Sequence, residues 1–297
     1  MIDAGRGAIL TKRNGSPRLR CRQIVEEDKE AIVDLLTEGF DRPREFWVEV
    51  FAKLSARDTP KGLPRYGYTL EADGTLVGVL LLIFAFLEDA VSIRCNVSSW
   101  YVKPEFRTYA SMLVSRALHY REATYFNLTP APATVPILKA LGYMELSGGK
   151  FYSFPVLHKP MQGARIQVVS DRAAFGLDIS RFEAELMRSH AAFGCLSLVC
   201  RTKDGAYPFV FSRRRVGRYF RGALLIYCRN TADFIPCAGT LGRFLAKRGI
   251  LSIILHANGP IPGLLGWFAK RSPTFYRGTQ PPPLGDLAFS ECAMFGV

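Results

Sequence analysis

Long apolar runs are scarce in this chain. The longest, Leu76 to Leu87, covers about half of the ~20 residues that a membrane-spanning helix requires, so no span is expected. Its Gly78 and its Val, Ile and Phe content suit a buried strand instead. The opening MIDAGRGAILTKRNGSPR has no apolar core of signal-peptide length before its charges begin, which argues against export by that route and makes the cytoplasm the expected compartment. Histidine is rare: His119, His158, His190 and His256 stand apart, without metal-ligand spacing. The seven cysteines form no C-x-x-C pair, and several sit inside apolar runs where a reduced thiol packs as a small hydrophobe. A disulfide scaffold and a metal centre are therefore not expected.

What the chain does have is a core-forming composition and positive charge. With 297 residues, 48% hydrophobic and 22% charged, it is long enough for two domains of ordinary size. A formal net charge of +13 asks for an anionic partner. The densest cluster, SRRRVGRYFRG, gathers Arg213, Arg214, Arg215, Arg218 and Arg221 with two aromatics. It reads as a nucleic-acid surface, as the exposed face of a hairpin, or as the mouth of a site for an acidic substrate. No recognised nucleic-acid motif accompanies it.

The pattern along the chain repeats. LRCRQIV reads as a strand; Ile32, Leu35, Leu36 and Phe40 mark one helix, and Trp47, Val50, Phe51 and Leu54 a second after Pro43. Two apolar runs around Asp73-Gly74 form a hairpin whose second arm reads as a central strand. SIRCNVSSWYV is a strand, RTYASMLVSRALHY a helix, ATYFNL a strand, ATVPILKALGY a short helix and KFYSFPV a strand. ARIQVV then opens a similar series: a helix in DISRFEAELMRSH, a hairpin around Asp204-Gly205, the strand ALLIYC, and a helix carrying Cys237, Leu241, Phe244 and Leu245. ILSIIL is a strand, LLGWFAKR a short helix, and TFYRG and LAFSECAMF closing strands. Two unrelated α/β domains would also satisfy this order, but the matching DG hairpins favour duplication, with the joint near Leu157 to Gly163.

One junction carries chemistry. In YVKPEFRTYASM, Tyr101 to Met112, a strand is broken by Pro104 and Glu105, and Arg107 precedes a helix whose Ala110, Leu113, Val114, Ala117 and Leu118 share a face. A helix start leaves N–H groups unsatisfied and a positive dipole end, which suits a pyrophosphate; Thr108, Ala110 and Ser111 are small enough for close approach. An ordinary strand-to-helix turn is the plainer reading.

The stretch YVKPEFRTYASMLVSRAL, with the order of elements around it, resembles the acyl-coenzyme A binding segment of the GNAT (Gcn5-related) N-acyltransferases, in which Val-x-Pro-x-x-Arg leads into R-x-x-G-x-G/A. ATVPILKALGYMEL resembles that family's later helix. The motif likeness runs over Ser98 to Tyr143, and the likeness in element order over most of the chain. The resemblance implies an α/β (α+β) fold: two tandem copies of a mixed, largely antiparallel central sheet flanked by helices. It divides the chain into an acyl-coenzyme A binding domain, 1–157, and a degenerate second copy, 158–297, whose RNTADFIPCAGTLGRFL lacks the cofactor motif.

The implied ligand is acetyl-coenzyme A or another acyl-coenzyme A. The implied cofactor residues are Tyr101 and Val102 for the pantetheine arm, and Arg107, Thr108, Tyr109, Ala110, Ser111 and Met112 for the pyrophosphate. Met112 stands where the family carries Gly or Ala, and Leu138 where many members carry a tyrosine acid. Asp89 and Glu88 are loop acids within reach of a base's role, and Asn96, Ser98, Ser99, Asn127 and Thr129 could hold or orient water, so Ser99 and Asn127 are the candidate catalytic residues. The expected activity is transfer of an acyl group, acetyl in the simplest case, to a primary amine, with acidic character in the acceptor. A non-catalytic GNAT-fold sensor or scaffold, binding an anion or nucleic acid through its arginines, is the competing reading.

Overall fold

The computed structural model describes residues 17–87, 92–172, 178–216 and 220–296, without the side chains of residues 215, 216 and 220. The opening sequence up to residue 16, Glu88, Asp89 and Arg218 lie outside the described residues, as does the side chain of Arg215.

The first series runs β1 (Leu19–Gln23), α1 (Lys29–Gly39), α2 (Arg44–Ala56), β2 (Gly67–Ala72), β3 (Thr75–Phe86), β4 (Ile93–Val102), α3 (Ala110–Ala117), β5 (Ala123–Asn127), α4 (Val135–Ala140), β6 (Met144–Ser147) and β7 (Gly149–Ser153). The second runs β8 (Arg165–Val169), α5 (Arg181–Ala192), β9 (Leu196–Thr202), β10 (Gly205–Val216), β11 (Phe220–Tyr227), α6 (Thr231–Ala246), β12 (Ser252–Ala257), β13 (Gly266–Ala269) and β14 (Thr274–Arg277), with a last turn α7 (Glu291–Met294).

The run predicted as a central strand is one. Val79, Leu81 and Ile83 of β3 face Ile32, Leu36, Trp47 and Leu54 of α1 and α2, while Leu80, Leu82 and Phe84 face Leu113, Ala117 and Leu138. Both faces of β3 are covered, so its sequence shows an unbroken apolar run rather than alternation. In the second series, Phe209, Phe211 and Leu225 pack on Cys237, Leu241 and Leu245 of α6. A further cluster joins the two series, combining Phe126, Leu128 and Tyr152 with Leu186, Leu224, Leu287 and Ala288.

The two sheets have the same seven-place order, β1-β2-β3-β4-β5-β14-β6 and β8-β9-β10-β11-β12-β7-β13. Each is mixed, with one parallel pair, β4 with β5 and β11 with β12, among antiparallel neighbours. Each also has a bulge at the same place. Ser99 has no partner between Leu80↔Trp100 and Leu81↔Ser98, and Ile226 has none between Val210↔Tyr227 and Phe211↔Leu225. Duplication therefore extends to local irregularities. The sixth place in each sheet is filled by the other series: β7 lies between β12 and β13, and β14 between β5 and β6. The division at Leu157/His158 follows the sequence; the sheets do not follow that division.

Two local expectations are corrected. LLGWFAKR is not helical: Gly266–Ala269 is the edge strand β13, where a Cβ at Gly266 would lie 2.0 Å from the Tyr152 carbonyl oxygen. LAFSECAMF is not a strand, because Glu291–Met294 forms a helical turn. Close approach also governs β7. A Cβ on Gly149 would lie 2.3 Å from the Ala269 carbonyl oxygen and 2.7 Å from the Phe268 ring, so Gly149→Ala is expected to destabilise the protein by about 2 kcal/mol, read as a lower thermal midpoint.

Candidate functional site

β4 and β5 pair in parallel from Ile93↔Ala123 to Asn96↔Phe126 and then separate. Beyond Asn96, β4 keeps its β3 partner only, so one edge of Val97–Val102 has no strand beside it. Two side-chain amides bridge the strands where they part. Asn96 donates to the Phe126 carbonyl and Asn127 to the Val97 carbonyl, both at 3.2 Å. The Asn127 carbonyl oxygen, Oδ1, is buried there without a hydrogen-bond partner.

At the far end of β4, the Lys103 N–H makes a last bond to the Val77 carbonyl at 2.8 Å. Pro104, which has no N–H, then opens a 3-10 turn, Pro104–Tyr109, that feeds α3. Tyr109 caps α3 without a side-chain bond, leaving the helix's first N–H groups without side-chain caps. Arg107, Thr108 and Ser111 are exposed around this start, and Tyr109 and Ala110 are half-buried. Met112 is turned inward: its side chain packs on the core beneath α3, and its carbonyl accepts from Cys21 Sγ at 3.8 Å. A bulky residue at this position thus leaves the junction clear. Tyr101 lays its ring over Gly39, where a Cβ would come within 2.4 Å, and its hydroxyl donates to Glu38 at 3.1 Å. Val102 is buried on the α3 side.

The bulge residue Ser99 has φ +45°, a left-handed conformation that costs a non-glycine residue of order 1 kcal/mol and that surrounding structure must impose. Its hydroxyl lies 3.1 Å from that of Ser98. Ser98 in turn donates to Glu291 Oε2, and Thr129 donates to Glu291 Oε1 at 2.6 Å. The Glu291 N–H donates to Asn96 Oδ1 at 2.7 Å. Glu291 comes from the far end of the chain and is 4% exposed. Burial raises its carboxyl above the usual carboxylate range, against the lowering effect of its hydroxyl donors. Nothing in the sequence marks it, because it is a lone acid 162 residues beyond Thr129.

The C-terminal segment that brings Glu291 here is fixed at each step. Asp286 pairs with buried Arg94 at 2.7 Å, the Phe289 N–H donates to His190 Nε2 at 3.0 Å, and Arg214 donates to the Cys292 carbonyl at 2.8 Å. Lys53 of α2 holds the Met294 carbonyl at 3.0 Å. Arg214 is therefore a structural residue and does not belong to an exposed cluster; Arg213 and Arg221 are exposed. The same segment closes the second copy. β11 and β12 part after the pair Leu224↔Ile254, and there Tyr227 bridges Asp286, Cys228 N–H donates to the Gly285 carbonyl and Leu287 N–H to that of Ile226. Protein backbone fills the gap in the second sheet that stays open in the first.

Of the other sequence candidates, Leu138 is a buried core residue. All seven cysteines are unbonded. Among the described residues, no group of three His, Cys, Asp or Glu side chains could hold a metal, and no helix is long and apolar enough to cross a membrane. A cavity of about 1170 Å³ lies between α2 and α5, with Lys53, Arg57, Phe86, Arg181, Glu185 and Phe289 on its walls.

No protein-family model matches the chain, and no curated protein matches it in sequence. Solved structures do match its shape. A candidate acetyltransferase from Pyrococcus horikoshii superposes with a TM-score of 0.55 at 14% identity, covering 97% of each chain. GCN5-related N-acetyltransferases from Anabaena variabilis (TM-score 0.56, 12% identity, 88% of this chain and 72% of that one) and Kribbella flavida (0.54, 15%, 88% and 71%) are similar. The chain has the tandem GNAT fold. Within that GNAT architecture one difference between the copies bears on the site: the gap beside the bulged strand is open in the first copy and filled by Gly285–Leu287 in the second.

Proposed function

We propose that this protein is an acyl-coenzyme A-dependent N-acyltransferase, acetyl transfer to a primary amine being the simplest case. One observation carries the reading: the first copy combines a strand edge without a neighbour, Val97–Val102, with a helix start that no side chain caps, whereas the second copy's gap is filled. The residues fit the donor. Asn127 Oδ1, buried and unpartnered beside Val97, is an acceptor suited to an amide N–H of the pantetheine arm, alongside the backbone of Tyr101 and Val102. N–H groups from Thr108 to Met112 would take the pyrophosphate, with Arg107 supplying charge. Asn127 then acts by positioning the donor, and Ser99 stands at the reacting end. Acyl-coenzyme A supplies the activated thioester when bound; the chain's part is to hold it still, exclude water and receive the proton of the attacking amine.

In this reading residues 1–157 bind the donor and residues 158–297 wall the acceptor side, where the cavity between α2 and α5 offers both charge signs and aromatic surface. Seven unbonded thiols suit a reducing compartment, and we place the protein in the cytoplasm.

Thermal unfolding with acetyl-, succinyl- and long-chain acyl-coenzyme A tests the proposal. At 100 times its Kd a ligand adds about 2.7 kcal/mol, which for a chain of this size raises the midpoint by roughly 5 °C. Arg107→Glu is expected to abolish that rise and Arg221→Glu to leave it intact. If none of the three thioesters moves the midpoint, the acyltransferase reading fails; salt-sensitive retention on nucleic acid, lost in Arg221→Glu, would put the scaffold reading in its place.

A further inference from the structure

We propose that Ser99, Ser98 and Glu291 form a proton relay, running from the edge of the open gap to a buried carboxylate that the C-terminal segment delivers. The proposal rests on the acyltransferase reading and names the base that reading requires. The contacts are continuous: Ser99 Oγ to Ser98 Oγ at 3.1 Å, then Ser98 Oγ to Glu291 Oε2. Ser99 is half-exposed, Ser98 and Glu291 are buried, so the chain of hydroxyls runs from accessible surface to interior.

Anchoring the C-terminal segment does not explain a carboxylate here. Among the described residues no cation pairs with Glu291: Arg94 is engaged by Asp286, Arg214 by the Cys292 carbonyl and Lys53 by the Met294 carbonyl. Its side-chain donors are two hydroxyls, from β4 and from the residue two positions past β5. Burying a charge without a counter-ion costs several kcal/mol, and a neutral glutamine would satisfy the same neighbours at lower cost. Retaining the acid, together with its raised affinity for a proton, is the behaviour of a base. The bulge points the same way, since Ser99 occupies a left-handed conformation that glycine would adopt without strain. A serine there keeps a hydroxyl at the cost of stability.

The steps balance. The acceptor's ammonium gives one proton to Ser99 Oγ as Ser99 passes its own to Ser98 and Ser98 passes its own to Glu291, so both serines end as they began. The freed amine forms the N–C bond to the acyl carbon, the C–S bond breaks, and the second nitrogen proton leaves with the thiolate as the thiol. Glu291 returns its proton to solvent by the reverse path.

The test uses the full chain with acetyl-coenzyme A and 2-phenylethylamine as probe amine, reading thiol release. Glu291→Gln and Ser98→Ala are each expected to lower kcat by about 10²-fold while leaving the KM for acetyl-coenzyme A and its thermal shift unchanged. The double variant should be no slower than Glu291→Gln, because both interrupt one path. Ser99→Gly should lose turnover with an unchanged or higher thermal midpoint. A readout independent of turnover is infrared titration of the ligand-free protein. A carboxyl band titrating above the ordinary carboxylate range should be absent in Glu291→Gln and move higher in Ser98→Ala, which removes a donor to the ionised form. The groups around it (Cys292 beside it, Arg214 from β10, Lys53 from α2 and the Arg94–Asp286 pair) are unchanged in these variants. Wild-type turnover in Glu291→Gln, additive loss in the double variant, or no such band would overturn the relay. So would a wild type that binds acetyl-coenzyme A but acylates neither the probe nor water. Absence of any thermal shift in the wild type instead removes the acyltransferase reading beneath it.

Discussion

Cut between Leu157 and His158, neither fragment is expected to fold alone, and the two expressed together are expected to assemble. Each fragment would lack the strand at the sixth place of its own sheet. Fragment 158–297 loses β7, paired on both edges, Ile253↔Ser153 to Ala257↔Gly149 on one and Gly266↔Ser153 to Ala269↔Lys150 on the other. With it go Phe151 and Tyr152, which are 1% and 4% exposed and belong to its two core clusters. Fragment 1–157 loses β14 with buried Phe275, and also Met294 and Phe295, which complete the core under α1 and α2. Fully burying one such side chain is worth about 1.5–3 kcal/mol. Losing two or three, with a row of unpaired strand groups on either side, consumes most of the 5–15 kcal/mol that holds a domain folded. Circular dichroism and urea unfolding of each fragment check this: a sharp two-state transition in either one alone would refute it, and so would failure of the mixture to regain a transition.

How far the sequence discloses this arrangement depends on the range of the forces involved. The DG hairpins are local, and Asp73 and Gly74 adopt φ +50° and +81° as that dipeptide predicts. Helix faces are local too: Trp47, Val50, Phe51 and Leu54 are all buried as their spacing requires. The strand exchange is not local. GKFYS and TFYR show that they are strands, but which sheet receives them is decided by partners 100 or more residues away, Ile253 for Ser153 and Asn127 for Phe275. β13, four residues long, is too short to show a period, and its glycine is explained only by the Tyr152 carbonyl it meets.

The candidate site divides in the same way. Its junction is contiguous, so the strand-to-helix turn from Tyr101 to Met112 is legible; the inward turn of Met112 is not, because the helical face read from the sequence leaves it out. Its acid is not contiguous. Glu291 sits between two short apolar runs, Leu287 to Phe289 and Cys292 to Phe295, that imitate a strand, and it acquires meaning only when Asp286–Arg94, Phe289–His190 and Cys292–Arg214 carry it across the molecule to Ser98. One segment thereby has two roles: Gly285–Leu287 occupies the gap of the second sheet, and a few residues later Glu291 reaches the gap of the first. The backbone that fills the gap of the second sheet is thus also the route by which the chain reaches the first.

Acid is expected to loosen this same segment. His190 is fully buried, its Nδ1 on the Leu186 carbonyl at 2.7 Å and its Nε2 accepting the Phe289 N–H, so it is neutral, with burial lowering it to about 4. His256, 3% exposed on β12 near Lys150 and Arg214, is lowered to about 3 by burial and by those two charges. For both, the unfolded chain binds the proton more readily, near pH 6.5, so stability is complete above that value and falls as pH drops toward the folded pKa. At pH 5 each imidazole has removed about 2 kcal/mol, together about 4 kcal/mol relative to pH 8. Glu291 works in the opposite sense. Its folded pKa is raised, so it loses stability as pH rises from about 4.5, and it offsets part of the histidine loss between those limits. Urea unfolding at pH 8, 6.5 and 5 should show a falling midpoint, and His256→Leu, which removes an imidazole whose Nδ1 has no partner, should flatten the fall by about 2 kcal/mol with little cost at pH 8. Glu291→Gln should steepen it. A midpoint that does not change from pH 8 to 5 in the wild type, or one that falls equally in His256→Leu, would show that these imidazoles are not held neutral by the fold.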